Sequence, residues 1–210
     1  MIDEYFEIFK ENMGQPDLTT QVSKELIDKY SSLLPSNLIE LWKEEGFSSY
    51  QKGLLWFTNP DEFNELIDMW LEGTRYGENG RYYVIARTAF GGLIAWSEMD
   101  SRVITVSCFG SYITGGIGKD IASSEAERSK NLGRFFAVRD IDSFDLQDEL
   151  SESVFEKLIQ QYGSLNRDNV FGFQPPLFVG GSISAKNAKP MDMQVHLTIL
   201  REFGEPVVNE

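Results

Sequence analysis

The chain has 210 residues, of which 41% are hydrophobic and 13% aromatic, enough to bury one sizeable core or two small ones. Its 33 acidic residues outnumber its 19 basic residues, and the net charge of −14 disfavours unassisted binding to nucleic acid or to an anionic membrane and favours a basic partner. With one cysteine, Cys108, and one histidine, His196, the chain can form neither an internal disulfide nor a metal site built from several thiolates or imidazoles.

The N-terminal segment is acidic and amphipathic, and the apolar spacing predicts helices over about 2–12 and about 20–34. No apolar run approaches the roughly 20 residues that are needed to cross a bilayer. We therefore expect a cytoplasmic protein that does not enter a membrane.

A third helix is predicted to begin at Pro35 and Asn37 and to end at Gly46. Glu40 lies three residues after Asn37, which is the spacing of a capping box. The apolar segment 53–57 that follows predicts a short strand.

The clearest helix signal comes next. Asn59 is expected at the N-cap, Pro60 at the first helical position and Glu62 at the third, and Gly73 ends the pattern. The residues expected on its buried face are Phe63, Leu66, Ile67, Trp70 and Leu71.

Four carboxylates follow the opposite side of this helix, because Asp61, Glu65, Asp68 and Glu72 are spaced i, i+4, i+7 and i+11. Like charges four residues apart repel by a few tenths of a kcal/mol. A solvated helix face and a contact surface for a cationic protein both explain the pattern. The same alternatives apply to a second acidic segment, which contains Asp140, Asp142, Asp145, Asp148, Glu149 and Glu152.

From Arg81 the apolar period changes to that of strands. The segments RYYVIARTAF, GLIAW and RVITVSCF are rich in β-branched and aromatic residues, and short polar or glycine-containing connections separate them. Such connections predict an antiparallel meander. Cys108 is the last residue but one of the third segment and is interpreted as a buried strand residue instead of a reactive thiol.

A glycine-containing segment over 110–124 is predicted to be a loop and to mark the junction between two domains, 1–115 and 116–210. We interpret Tyr112, Lys119 and Asp120 in it as part of a mobile contact loop for a partner. It is not a phosphate-binding loop, since Ile113 and Asp120 stand where that motif needs glycine and serine or threonine.

The C-terminal part is predicted to be mainly helical. A helix should start at Ser124 with Glu127 as its capping partner, and a strand is predicted over 135–140. Further helices are expected from Val154 and near the C-terminus, where His196 should be half-buried, with a loop over 172–190 between them. The fold class predicted from the whole chain is α+β, with helices packed on an antiparallel β-meander.

Three stretches together resemble bacterial immunity proteins with an N-terminal GAD-like domain and a C-terminal domain of type VI secretion DNase immunity proteins. They are LPSNLIELWKEEGFSSYQKGLLWFTNPDEF (34–63), RTAFGGLIAW (87–96), and VFEKLIQQYGSL with VFGFQPPLFVGG (154–181). The resemblance implies a protein that binds and neutralises a cognate toxin, a type VI secreted nuclease, by occluding its active or substrate-binding site. It implies no catalysis, no cofactor and no direct binding to nucleic acid.

Two other functions stay open from the residues alone. One is a regulatory or scaffold module that binds a different intracellular protein. The other is a hydrolase that uses two carboxylates, which sequence spacing neither supports nor excludes. A serine hydrolase is disfavoured, because the chain has no G-x-S-x-G elbow.

Overall fold

An eight-stranded sheet forms the centre of the structure. The structure is a computed structural model, and it describes residues 3–78, 80–115, 122 and 124–209. The helices are α1 (Glu4–Met13), α2 (Lys24–Tyr30), α3 (Ser36–Glu45), α4 (Asn64–Leu71), α5 (Glu125–Ala137), α6 (Val154–Tyr162) and α7 (Met193–Glu202). The strands are β1 (Leu18–Thr20), β2 (Phe47–Tyr50), β3 (Leu55–Phe57), β4 (Tyr82–Thr88), β5 (Gly92–Ser97), β6 (Val103–Ser107), β7 (Tyr112–Thr114), β8 (Asn169–Phe173), β9 (Ala188–Asp192) and β10 (Val207–Asn209). The predicted α+β class is confirmed.

The sheet follows chain order from β1 to β7, and β10 is added at the end beside β7. Neighbouring strands from β1 to β7 are antiparallel, as the short connections predicted, whereas β10 pairs with β7 in parallel. Strands β8 and β9 form a separate antiparallel pair. Within the described ranges, no helix is long and apolar enough to cross a membrane.

Helices cover both faces of the central sheet. Alternate side chains of a strand point to opposite faces, so each strand contributes residues to both sides. Tyr83 and Ile85 on β4 lie in one hydrophobic cluster with α1, α3, α5 and α6, whereas Tyr82 and Val84 lie in a second cluster with α4 and α7. Residues from before and after the predicted domain junction are present in each cluster.

An aromatic group shows how the two parts of the chain meet in the first cluster. The Phe136 ring of α5 lies 5.7 Å from the Phe6 ring, 5.5 Å from Phe9 and 5.2 Å from Phe57, measured between ring centroids. All four rings are fully or almost fully buried. The division into domains at residues 115 and 116 stays a prediction.

Two predicted helix starts in the N-terminal part were wrong. The segment 20–34 is not one helix: Thr20 belongs to β1 and is paired with Phe47, and the Ser23 hydroxyl accepts a hydrogen bond from the Leu26 amide at the start of α2. Asn37 does not cap α3. Its side chain is buried, and its Nδ2 donates to an Asp3 carboxylate oxygen at 2.7 Å and to the Ser129 carbonyl at 2.8 Å.

The strand predicted over 135–140 was also wrong. Phe136 and Ala137 belong to α5, because Leu132 and Phe136 are four residues apart and bury the same helix face against α1. Ser124 caps α5 as predicted, and its hydroxyl accepts from the Glu127 amide.

Two further predictions need correction. The segment 172–190 contains the end of β8 and the start of β9 instead of being only a loop. Cys108 is fully buried as predicted, but it lies in a 3-10 turn after β6 instead of in the strand. Burial raises the pKa of its thiol, so that the group is protonated and unreactive.

Candidate partner-binding surface

Helix α4 begins later than the sequence pattern predicted. Asn59 caps the segment through a hydrogen bond of 3.2 Å from the Asp61 amide to its side-chain oxygen, and Pro60 occupies the first helical position. Residues 60–63 then form a 3-10 turn, and the α-helix runs from Asn64 to Leu71. The five apolar residues predicted to face the core are all buried: Phe63, Leu66, Ile67, Trp70 and Leu71.

Three of the four predicted carboxylates are exposed on this helix or directly after it. Glu65 and Asp68 lie in α4, and Glu72 follows its last residue. Within the described part of the chain, none of the three carboxylates accepts a hydrogen bond or forms an ion pair. We call Glu65, Asp68 and Glu72 the α4 ridge.

Asp61 is different from the α4 ridge, because its carboxylate is already bonded within the protein. It accepts hydrogen bonds from Lys29 Nζ at 2.5 Å and from the Tyr30 hydroxyl at 2.7 Å. Partial burial alone would raise the pKa of Asp61, but the bonds from Lys29 and Tyr30 outweigh it and lower the pKa. The structure therefore separates Asp61 from the other three predicted residues.

Helix α7 packs beside α4 and fixes its position. Trp70 Nε1 donates to the Leu197 carbonyl at 3.2 Å, across 127 residues of sequence. Arg201 donates from Nε to the Met69 carbonyl and from Nη2 to the Glu72 carbonyl, each at 3.0 Å. The Arg201 cation thus lies at the C-terminal end of α4, where it offsets the unfavourable position of the Glu72 carboxylate.

Another side of α7 is apolar and exposed. Val195, Ile199 and Phe203 recur every four residues and have exposed fractions of 58%, 47% and 56%. Together with Phe173, Pro176 and Met191 they line a groove of about 280 Å³, which we call the α7 groove. An exposed apolar area of this kind on a highly charged protein is typical of a protein interface.

His196 also lines the α7 groove, and it is half-buried on a helix as predicted. Burial lowers the pKa of its imidazole, so the ring is neutral at physiological pH. Among the described residues no group of three or more His, Cys, Asp or Glu side chains is arranged to hold a metal ion.

Two family models match the chain. The GAD-like domain matches residues 4–110, which is half of the sequence, and the C-terminal domain of the T6SS immunity protein Tdi1 matches residues 129–204. The chain belongs to the GAD-like family. The second match, which includes α5, α6 and α7, supports a role of this GAD-like protein in neutralising a toxin.

A solved structure shares the fold of this GAD-like chain. The crystal structure of Atu4351 from Agrobacterium tumefaciens superposes with a TM-score of 0.81 and 24% sequence identity. The match covers 95% of this chain and 89% of the other. No curated protein matches the sequence significantly.

The second set of predicted contact residues lies elsewhere on the GAD-like chain. Tyr112 is the first residue of β7, so it belongs to the sheet and not to a mobile loop. Its ring packs edge-on against Phe109 and lines a cleft of about 350 Å³ between the sheet and the segment 135–146. Lys119 and Asp120 lie outside the described residues.

The sequence reasoning missed the α7 groove. Its signal is present, because α7 carries two apolar sets: one is buried (Met193, Leu197, Leu200) and the other is exposed (Val195, Ile199, Phe203). A helix on a protein surface needs only one apolar stripe to pack. An excess of apolar positions on a terminal helix is therefore the pattern that would have indicated an interface.

Proposed function

We propose that this chain is an immunity protein that binds a cognate type VI secreted nuclease and blocks its active or substrate-binding site. The observation that carries the proposal is the α4 ridge of unpaired carboxylates, held directly beside the helix that carries the α7 groove. The match to a T6SS immunity domain supports the same class of partner.

The α4 ridge suits a nuclease because such an enzyme must present a cationic groove to nucleic acid. Carboxylates on a rigid helix compete with phosphates for that groove. Because the carboxylates of Glu65, Asp68 and Glu72 form no ion pair among the described residues, their charge acts at a distance and raises the rate of encounter. Inhibition should therefore weaken as the salt concentration rises.

The α7 groove supplies the lasting contact. Interfaces owe most of their affinity to a few apolar or aromatic anchors that become fully buried, and charged residues at the rim contribute mainly to the association rate. Phe203, which directly follows α7, and Ile199 on α7 are the bulkiest exposed apolar side chains of this surface, so we assign the anchor to them. The inhibitor acts by occupying a surface and uses no chemistry of its own.

Co-expression with the toxin encoded by a neighbouring gene tests the proposal. We expect the chain to protect the cell, to form a complex with the toxin, and to suppress its nuclease activity in vitro. Absence of both protection and complex would reject the proposal.

A pair of substitutions tests the anchor. Ile199→Glu should weaken the complex at least tenfold, because it places a charge in the α7 groove. Leu150→Glu is the matched control, since Leu150 is 76% exposed and lies far from α7 in sequence. We expect the control variant to protect like the unchanged protein, and equal behaviour of the two variants would remove the groove from the interface.

A further inference from the structure

A cleft between the central sheet and the segment 135–146 is separate from the proposed toxin-binding surface. It has a volume of about 350 Å³, which is within the range of pockets that hold small molecules, and we call it the β6–β7 cleft. Its floor is one face of the sheet, where Ile94, Thr105 and Thr114 lie opposite one another on β5, β6 and β7. Val106, the next residue of β6, points to the other face and packs in the cluster with α4 and α7. The sheet therefore lies between this cleft and both the α4 ridge and the α7 groove.

Four hydroxyl groups that line the β6–β7 cleft have no hydrogen-bond partner among the described residues. They belong to Thr105, Ser107, Tyr112 and Thr114. Ser107 is only 5% exposed, but its oxygen remains accessible from the cleft. A buried hydroxyl costs free energy unless it is hydrogen-bonded, so this group needs a partner that enters the cleft.

Arg139 supplies a positive charge to the same cleft. Its guanidinium carbon lies 3.5 Å from the Phe135 ring centroid, and its Nη1 donates to the Phe135 carbonyl. In the part of the chain that the structure describes, its Nε and Nη2 donate to no acceptor and no carboxylate forms an ion pair with it. Partial burial lowers the pKa of the guanidinium, but the group stays protonated at neutral pH.

One carboxylate, that of Asp145, also lines the cleft. Both of its oxygens are already bonded, because Oδ1 accepts from the amides of Leu146 and Phe155 and Oδ2 accepts from the Ser153 hydroxyl. This carboxylate therefore belongs to the fold around α6 and leaves the charge of Arg139 available.

Aromatic rings form the walls of the β6–β7 cleft. The aromatic side chains in its lining are Phe90, Phe109, Tyr112, Phe135 and Phe144. Phe90 and Phe144 are buried, whereas the other three are partly exposed. Such rings pack favourably against another ring when the contact is edge-on or offset. The cleft thus offers an aromatic surround to the body of a ligand and a cation to its acidic end.

We propose that the β6–β7 cleft binds a small aromatic carboxylate, with its carboxylate on the free N–H groups of Arg139 and its ring among the aromatic walls. A guanidinium is a fork of donors that matches the two oxygens of a carboxylate. A neutral aromatic compound would leave this cation without an anion, and inorganic phosphate would leave the aromatic walls uncovered. The site is independent of the proposed toxin binding, because it lies on the other face of the sheet.

Calorimetric titration of the unchanged protein tests the class of ligand. The probes are phenylacetate, its neutral amide phenylacetamide, and inorganic phosphate. We expect saturable binding of phenylacetate at one site, and binding at least about tenfold weaker for the other two probes, because each lacks one of the two features. Absence of saturable phenylacetate binding at millimolar concentration, or equal binding of phenylacetate and either other probe, would overturn the proposal.

Two arginine variants on the same helical segment test the position. Arg139→Met should weaken phenylacetate binding at least about tenfold, because it removes the cation and keeps an apolar side chain of similar length. Arg134→Met is the matched control, since Arg134 is exposed and does not line the cleft, and it should bind like the unchanged protein. Equal binding by the two variants would overturn the assignment to Arg139.

A crystal structure of the unchanged protein with phenylacetate locates the ligand without relying on the folding of a variant. We expect the carboxylate within hydrogen-bond distance of Arg139 Nε or Nη2. Phenylacetate bound only outside the β6–β7 cleft would overturn the proposal.

Discussion

The chain has two acidic segments that look alike in sequence and use their carboxylates differently. In the segment 140–152, Asp145 accepts hydrogen bonds from the amides of Leu146 and Phe155 and from the Ser153 hydroxyl. On α4, the three carboxylates of the α4 ridge bind nothing within the described structure. The first segment uses several of its carboxylates to build the fold, whereas the carboxylates of the α4 ridge stay unpaired among the described residues.

Asp148 extends this contrast. Its carboxylate accepts from the amides of Leu150 and Glu152 and from Lys157 Nζ, and the Lys157 cation also contacts Glu152. The hydrogen bond from Lys157 is the main cause that lowers the pKa of Asp148. The density of acidic residues in a sequence therefore does not show which carboxylates are already bonded within the fold, and only the internal donors around each one do.

The largest effect is expected from Asp145→Ala. The substitution removes the acceptor of three hydrogen bonds at the start of α6 and should lower the free energy of unfolding by about 2 kcal/mol. Urea denaturation followed by circular dichroism measures the change. Asp142→Ala is the control, because the exposed Asp142 accepts no such bonds, and we expect it to change stability by less than about 0.5 kcal/mol.

The same variant tests whether the chain unfolds as one unit, which we propose because both hydrophobic clusters contain residues from both predicted domains. All four tryptophans lie in the first 96 residues, so their fluorescence reports on the N-terminal part. If the chain is one unit, Asp145→Ala should shift the fluorescence transition as much as the circular dichroism transition. An unchanged fluorescence transition would mean that the two parts unfold separately.

The next effect concerns association with the toxin. Replacing Glu65, Asp68 and Glu72 together by lysine should lower the association rate about tenfold at low salt and reduce its salt dependence. Stability should stay within about 0.5 kcal/mol, because the three side chains make no bonds to any other residue that the structure describes. Stopped-flow association at several salt concentrations measures the effect.

A variant with the same change of net charge controls for long-range repulsion. Glu11, Asp142 and Glu149 are exposed and lie outside α4, so their joint replacement by lysine alters the total charge equally. If both triple variants slow association to the same extent, the position of the α4 ridge is irrelevant and only net charge matters.

Much of the fold could be predicted because its signals are local. The Asn59-Pro60 start and the apolar spacing identified the buried face of α4, and the alternating segments from Arg81 identified the meander. The errors involve contacts between distant residues. Asn37 has the spacing of a helix cap, but its side chain is used to join α1 and α5, and no local pattern encodes Ser129 as its partner.

In the candidate site, too, the local pattern was predictable and the contacts between distant residues were not. Helical spacing predicted that Asp61, Glu65, Asp68 and Glu72 share one side, but it could not show that Lys29, which is 32 residues away, neutralises Asp61. It also could not show which of two apolar sets on α7 remains exposed, because burial depends on the neighbouring helix α4. Local periodicity assigns faces, and only the tertiary contacts decide which faces are free.

The smallest effect is expected from Asp61→Asn. This variant tests whether Asp61 acts through its bonds within the protein or, like the α4 ridge, through its charge on a partner. The pKa of Asp61 is lowered in the folded protein. Its ionised form therefore stabilises the fold at pH values above the unfolded pKa of about 4. This stabilisation is lost as the pH falls through the folded pKa. The contribution should be below about 1 kcal/mol, because about a third of the Asp61 side chain and half of the Lys29 side chain are exposed.

Urea midpoints at pH 7 and at pH 3 measure this contribution. We expect Asp61→Asn to be less stable than the unchanged protein at pH 7 and the difference to shrink at pH 3, which is below the unfolded pKa, because proton uptake by the unfolded wild-type chain then favours its unfolding. Asp68→Asn is the control, and its stability should follow that of the unchanged protein at both pH values, because no described residue donates to the Asp68 carboxylate. Slower toxin capture by Asp61→Asn at unchanged stability would place Asp61 with the α4 ridge, since its charge would then act on the partner and not on Lys29 and Tyr30.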